Sequence, residues 1–235
     1  KDPLTGAWLV DMVLDEAAQK GTGKWASQHA YDLEVGTPTI NAAVEGRILS
    51  SGKAIRIAGA NALGRMIAPI AEPEKAQHAA EDALLLGRLS AYAQGLAQIA
   101  RASSEFNWKI DLANAVSVWR AGCIIRSDTL DLILANLPNS DGNSNLLFTS
   151  PIAAIAMRAS IGLRTFVTAA ISSGVPVPAL AASLAYFDTL RSESLPANLI
   201  QAQRDAFGAH TYRRSDREGT FHNQWESKAP TPKGN

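Results

Sequence analysis

Residues 73–108 read PEKAQHAAEDALLLGRLSAYAQGLAQIARASSEFNW. Leu85, Leu89, Tyr92, Leu96 and Ile99 step through this stretch by 4, 3, 4 and 3, the spacing of one face of a long α-helix. The same rhythm returns at Ile152, Ile155, Ala159, Leu163, Phe166 and Ala170. Further helices are expected over 7–19, 26–34, 39–66, 111–119, 123–135, 178–192 and 196–207. Thr39, Asp111 and Ser194 are side chains of the type that cap helix N-termini. Composition agrees with this reading. Alanine occurs 41 times and aromatics make up 6% of the chain, and alanine favours helix and disfavours strand.

Breakers divide the helical stretches. Gly36-Thr37-Pro38 separates two of them, and Pro69 to Pro73 precedes the long helix. Pro138 to Asn145 is polar and turn-forming, and it marks where two sub-bundles would divide. Gly174-Val175-Pro176-Val177-Pro178 is a stiff connector, because each proline fixes its own φ and restricts the residue before it. After Gly208 the pattern changes, and an Asp-Arg-Glu-Gly turn at 216–219 points to a short hairpin or ordered loop. Residues 227–235 read as a disordered tail. The expected fold is all-α and multi-helix: a helical domain over 1–208, then a C-terminal extension over 209–235.

Charge and cysteine content exclude several function classes. The 22 basic and 22 acidic side chains cancel, whereas a dedicated nucleic-acid binder carries a basic excess. Cys123 is the one cysteine, so no intrachain disulfide forms, and a reducing, cytoplasmic setting fits. No window approaches 18 apolar residues, so no membrane span is expected. The chain opens on Lys1 rather than Met, which leaves room for an upstream portion.

Common chemical fingerprints are missing. Gly21-Thr22-Gly23 is the nearest approach to Gly-x-Gly-x-x-Gly, but position 26 is Ala and no strand is expected before it. Trp25 follows Gly23-Lys24 where a P-loop needs Ser or Thr. The histidines at 29, 78, 210 and 222 lack zinc-ligand spacing. No metal site is expected.

Three segments remain. Gln19 to Trp25 sets two glycines beside two lysines, so backbone amides and ammonium groups can approach one anion; alternatively it is a helix-ending turn with solvated lysines. In Trp119 to Arg126, Gly122 would permit a tight helix–helix approach, and Cys123 reads as a small core side chain rather than a nucleophile. In Leu195 to Tyr212, Arg204 lies near a helix end and His210 follows past Gly208, an arrangement that can present a guanidinium and an imidazole to one ligand. The competing reading pairs Arg204 with Asp205 or another carboxylate and leaves His210 on backbone carbonyls.

Taken in order, Lys20-Gly-Thr-Gly-Lys-Trp25, Tyr92-Ala-Gln-Gly95, Arg120-Ala-Gly-Cys-Ile-Ile-Arg126, Gly174-Val-Pro-Val-Pro178, Leu195 to Asp205, Phe207-Gly-Ala-His-Thr-Tyr212 and Asp216-Arg-Glu-Gly219 resemble the C-terminal, helical part of decarboxylating 6-phosphogluconate dehydrogenase, from about residue 8 to about residue 225. The resemblance implies NADP-linked oxidation of 6-phosphogluconate at C3, then decarboxylation to ribulose 5-phosphate and CO2, a step of the pentose phosphate pathway. It implies a homodimer in which each active site borrows residues from the partner's C-terminal region. By position in the family motifs, Lys20 and Arg47 bind substrate, and Arg204 and His210 reach it across the dimer interface. The family's Rossmann domain and its catalytic lysine and glutamate have no counterpart in this sequence, so no catalytic residue is assigned, and NADP is expected to bind mainly outside it. Ala206 stands where the family usually has an aromatic. By this reading the chain alone does not turn over substrate. The alternative from another class is a non-catalytic helical domain that dimerises or binds sugar phosphates.

Overall fold

The computed structural model describes residues 1–65, 67–138 and 144–225. The core of the expected loop at 138–145 and the expected tail at 227–235 lie outside the described residues. The chain divides into two compact units, residues 1–188 and 189–235.

The first unit is helical throughout: α1 (Leu9–Met12), α2 (Thr22–Asp32), α3 (Pro38–Ser51), α4 (Lys53–Leu63), α5 (Pro73–Glu105), α6 (Leu112–Ser117), α7 (Thr129–Leu134), a 3-10 turn at Leu146–Phe148, α8 (Ile152–Ser172) and all but the last turn of α9 (Pro178–Leu190). Its core is the long packing of α5 against α8. Leu86, Leu89, Ala93 and Leu96 of α5 are buried, as are Ile152, Ala156, Ala159, Leu163, Val167 and Ala170 of α8. The two helices approach closely at Gly162, where a Cβ would lie 2.5 Å from the Cβ of Asp82. Contrary to the sequence expectation, α8 is long and apolar enough to cross a bilayer. Its buried face marks it as a core helix.

Several expected elements take a different form. The helix expected over 7–19 is one turn, α1, and side chains of α3 and α4 hold the non-helical chain at 15–18. The helix expected over 39–66 is broken at Gly52. That residue follows Ser50 and Ser51, whose hydroxyls bond back to Arg47 O and Ile48 O, a local competition that weakens the end of a helix. The helix expected over 123–135 forms only at 129–134; Gly122 has φ +68° and turns the chain before it. A Cβ at Gly122 would meet nothing within 4 Å, so that glycine serves a turn and not a helix contact. Asp111 caps α6, accepting from Ala113 N at 2.8 Å. Thr39 lies inside α3, and α10 starts after Pro196 rather than at Ser194.

The second unit holds the end of α9, then α10 (Ala197–Gly208) and the expected hairpin, β1 (Tyr212–Arg213) antiparallel to β2 (Thr220–Phe221).

Candidate functional site

In the first unit the Lys20 motif is an entry into α2. Gly21 is the N-cap with φ +95°, a left-handed conformation that costs any L side chain. Gly21 offers α2 no side-chain cap, and among the described residues its first backbone N–H groups stay free beside Lys20, the polarity that attracts anions. Gly23 has a different task. A Cβ there would lie 2.9 Å from Cγ2 of Val44, so its hydrogen lets the first turn of α2 press against α3. Arg47 follows three residues after Val44.

The segment before Lys20 is tied to the α3–α4 corner at four points. The Asp15 carboxylate receives Lys53 Nζ and, at 2.7 Å, Arg56 Nη1. Arg56 Nη2 also donates to Asp15 O at 3.0 Å and Ser50 O at 2.8 Å. Ala17 N donates to Ser50 Oγ at 2.8 Å, and Arg47 Nη2 donates to Ala18 O. The guanidinium of Arg56 and the ammonium of Lys53 hold the Asp15 carboxyl well below the usual carboxylate range, against a smaller opposing effect of burial. The fold thus places Arg47 against the backbone two residues before Lys20. The Lys20 side chain is exposed and pairs with no carboxylate among the described residues. Of the competing reading, the helix-ending turn does not hold, because Gly21-Thr22-Gly23 begins a helix, while Lys20 and Lys24 are solvent-exposed as it expects.

Gly23→Ala is expected to push α2 off α3. An added methyl against a β-branched neighbour costs roughly 1–3 kcal/mol and displaces Lys20 relative to Arg47. Thermal unfolding and hydrogen exchange across 15–24 would read the change. Unaltered exchange would show that Val44 yields without moving α2.

In the second unit, α10 presents Arg204 to solvent, donating to Gln201 Oε1 at 3.1 Å. Gln201 in turn donates to Thr211 O at 2.6 Å. Ala209 and Thr211 both have positive φ, +51° and +62°, so the backbone is strained on either side of His210. Such strain persists only where surrounding contacts over-determine it. Here the contact is Asp205, 1% exposed. Its Oδ1 accepts from Thr211 N at 2.8 Å and pairs with His222 Nδ1 at 2.9 Å. Its Oδ2 accepts from Asn223 N at 3.0 Å and Trp225 Nε1 at 2.8 Å. Burial pushes this carboxyl up, but the bonds from His222, Trp225, Asn223 and Thr211 together outweigh it and hold it well below the usual range. The imidazole of His210 lies over Gly208, where a Cβ would come within 2.7 Å of Nε2.

Both competing readings for this segment are therefore overturned. Asp205 is occupied by four donors and does not pair with Arg204. The His210 ring makes no hydrogen bond among the described residues. The side chains of Arg204 and His210 are both exposed. Sequence reasoning treated Asp205 only as a candidate partner for its neighbour and so missed it as the anchor. A carboxylate directly after a presented arginine, with Gly and His close behind, was the available signal.

The Trp119–Arg126 segment borders a cleft of about 550 Å³ in the first unit, lined by Arg88, Tyr92, Trp119, Ile124 and Arg126 among others. Tyr92 stacks on Trp119 with centroids 6.2 Å apart and donates to Ile125 O at 2.9 Å. Cys123 is half-buried and free. No group of His, Cys, Asp and Glu among the described residues could hold a metal. The described residues also contain no strand followed by a glycine-rich turn and helix, the cradle a dinucleotide needs.

The fold defines a mainly helical protein that leaves the Lys20, Arg47, Arg204 and His210 side chains exposed, and comparison with known proteins gives its family. The family model "6-phosphogluconate dehydrogenase, C-terminal domain" matches residues 1–225, and the chain belongs to that family. It is 44% identical over 221 residues to the decarboxylating 6-phosphogluconate dehydrogenase of Klebsiella pneumoniae, covering 94% of this chain and 47% of that protein. It is 44% identical over 227 residues to the NADP(+)-dependent, decarboxylating enzyme of Bacillus subtilis, covering 96% and 48%. Among solved structures, Plasmodium falciparum 6-phosphogluconate dehydrogenase, described in its apo form and in complexes with NADP+ and 6-phosphogluconate, matches with a TM-score of 0.85 at 38% identity. That match covers 95% of this chain and 49% of the other. The chain spans about half the length of the curated relatives it matches.

Proposed function

We propose that this chain is the substrate-binding and dimerisation part of an NADP-dependent 6-phosphogluconate dehydrogenase. The reaction oxidises C3 of 6-phosphogluconate and releases CO2, leaving ribulose 5-phosphate, in the cytoplasm. Lys20 and Arg47 bind the substrate from one subunit, and Arg204 and His210 bind it from the partner of a homodimer. The observation that carries this reading is the placement of Arg47 against the backbone just before Lys20, at an uncapped helix N-terminus.

The charges suit the ligand. Its phosphate carries about −2 at pH 7 and its carboxylate one more, against three cations in Lys20, Arg47 and Arg204. The guanidinium forks match phosphate oxygens, while the ammonium acts as a point charge. Leu199, Ile200 and Phe207 of α10 are all well exposed, an apolar surface of the kind a subunit contact covers. The described residues do not fit a dinucleotide, so NADP is assigned to residues outside them.

Two results test the reading. Calorimetry is expected to show 6-phosphogluconate binding that gluconate, lacking the phosphate, does not reproduce. The purified 235-residue chain, mixed with NADP+ and 6-phosphogluconate, is expected to form no NADPH. Equal binding of the two ligands would remove the phosphate site, and steady NADPH formation would refute the division of labour.

A further inference from the structure

We propose that Gln94 is a positioning residue: from α5 it caps the N-terminus of α3, and so holds Arg47 and the Lys20 segment in binding geometry. The proposal rests on the substrate-site reading above for its functional consequence, and on hydrogen bonds alone for its structural one.

The start of α3 has no cap of its own. Thr37 precedes it without a side-chain bond to the helix N–H groups, and Pro38 has no N–H to offer. Asn41 N reaches Thr37 O at 2.9 Å, which leaves Thr39 N and Ile40 N as the orphan donors of the first turn. Both are satisfied from 55 and 54 residues away: Gln94 Oε1 accepts from Thr39 N at 3.0 Å and Ile40 N at 3.3 Å.

The rest of the amide is also engaged. Nε2 of Gln94 donates to Thr39 Oγ1 at 2.9 Å. Ser183 donates its hydroxyl proton to Ala179 O at 2.7 Å, so in the 3.0 Å contact between Thr39 Oγ1 and Ser183 Oγ Thr39 is the donor. Donor and acceptor roles are thereby fixed along the whole chain, and the amide orientation follows from it. Gln94 and Ser183 are both fully buried. A network this enclosed is sensitive, because each group left without its partner keeps its full desolvation penalty.

Gln94 does not act alone on α5. Gln98, one turn on, donates to Ala26 O of α2 at 2.8 Å. Arg101 donates from Nε to Leu33 O at the end of α2, at 3.3 Å. Positions 94, 98 and 101 share one helix face. That stripe holds the body and end of α2, which Lys20 leads into, and the start of α3, which carries Arg47. Arg47 lies eight residues after Thr39, about 12 Å along α3, and meets Ala18 O there. A shift of α3 on α5 is therefore passed to Arg47, to Ala17 through Ser50, and to the backbone leading into Lys20. This gives the Tyr92-Ala-Gln-Gly95 motif, which makes no hydrogen bond to the four candidate ligand-binding residues among the described residues, a place in the same machinery.

The test compares Gln94→Leu, which removes both functions of the amide, with Gln94→Glu, which keeps an oxygen for the two N–H groups. Leu89→Ala, a buried change on the opposite side of α5, controls for stability. Calorimetry with 6-phosphogluconate is run at a temperature where all are folded, and hydrogen exchange is followed over 15–20 and 38–47. Gln94→Leu is expected to bind at least about tenfold more weakly and to exchange faster in both segments. Gln94→Glu should recover most of the affinity, and Leu89→Ala should lower the melting temperature while leaving both readouts unchanged. If Gln94→Leu does not fold, Gln94→Asn, which withdraws the amide by one methylene, carries the same expectation. Wild-type affinity and exchange in the Gln94 variant, or an equal loss of affinity in Leu89→Ala, overturns the proposal. If the wild-type chain does not bind 6-phosphogluconate, the substrate reading fails, and exchange at 15–20 alone decides whether Gln94 holds the segment.

Discussion

Asp205→Ala is expected to release the β1–β2 hairpin from α10 and to weaken 6-phosphogluconate binding by between about ten- and a hundredfold, the scale on which small misplacements of binding groups act. One carboxylate holds three separate pieces of chain: the backbone at Thr211, the end of β2 through His222 and Asn223, and Trp225 beyond it. Its loss leaves donors unpaired in a buried place and removes what holds positive φ at Ala209 and Thr211. His210 lies between those two residues and would lose its fixed position. Asp205→Asn is expected to fail almost as badly, although it is isosteric. The carboxylate accepts two bonds on each oxygen, whereas an amide must turn its NH2 toward one of the two donor pairs. Binding by calorimetry and the near-ultraviolet signal of Trp225 would report both effects, and wild-type affinity in Asp205→Asn would show that the four-donor arrangement is not needed.

The same anchor sets an acid limit. The folded-state pKa of Asp205 is depressed, so its contribution to stability is fully present above the unfolded carboxylate value of about 3.9 and is lost as pH falls through the lower folded value. The hairpin is therefore expected to stay attached down to about pH 4 and to detach only in stronger acid. Asp205→Asn should abolish that transition, because no proton is then linked to the anchor.

Sequence periodicity revealed α5 and α8 because each buries a continuous stripe over many turns, so the pattern and the packing carry the same information. It misled at 7–19 and 123–135, where local helical spacing is overridden. At 15–18 the override is visible in named bonds: Asp15, Ala17 and Ala18 are taken by Lys53, Arg56, Ser50 and Arg47, all at least 29 residues away. No window of a dozen residues contains that information. The site residues were legible for a different reason. Lys20, Arg204 and His210 sit in or beside runs where Gly21, Gly23 and Gly208 interrupt an otherwise helical pattern, and so stand out as candidates. The glycines themselves looked alike in sequence, but they do three different things. Gly21 takes a left-handed φ, Gly23 makes room for Val44, and Gly208 makes room for the His210 ring. Gln94 was least legible, because a glutamine inside a helix looks like surface until the helix end it caps is placed beside it.

Arg204→Ala is expected to cost the most affinity of any single change among the four candidate ligand-binding residues. A charge-assisted bond contributes roughly 1.5–3 kcal/mol, or about ten- to 150-fold in binding. Arg204 can make such a bond at little cost, since its hydrogen-bond partner among the described residues is the neutral Gln201. Arg204→Lys should recover little, because an ammonium cannot reproduce the two parallel bonds of a guanidinium fork. His210→Ala should cost less, since an imidazole cannot form the two parallel bonds of a guanidinium fork. Neither change disturbs Asp205, so melting temperature and the Trp225 signal should stay near wild type. That separates them from Asp205→Ala, which moves both. Concentration dependence supplies the remaining test of the shared site. Affinity is expected to rise with protein concentration as subunits pair, and Arg204→Ala should remove that rise, whereas Lys20→Ala should lower affinity at every concentration. Affinity independent of protein concentration, over a range in which sedimentation shows monomers pairing, would refute the contribution across an interface.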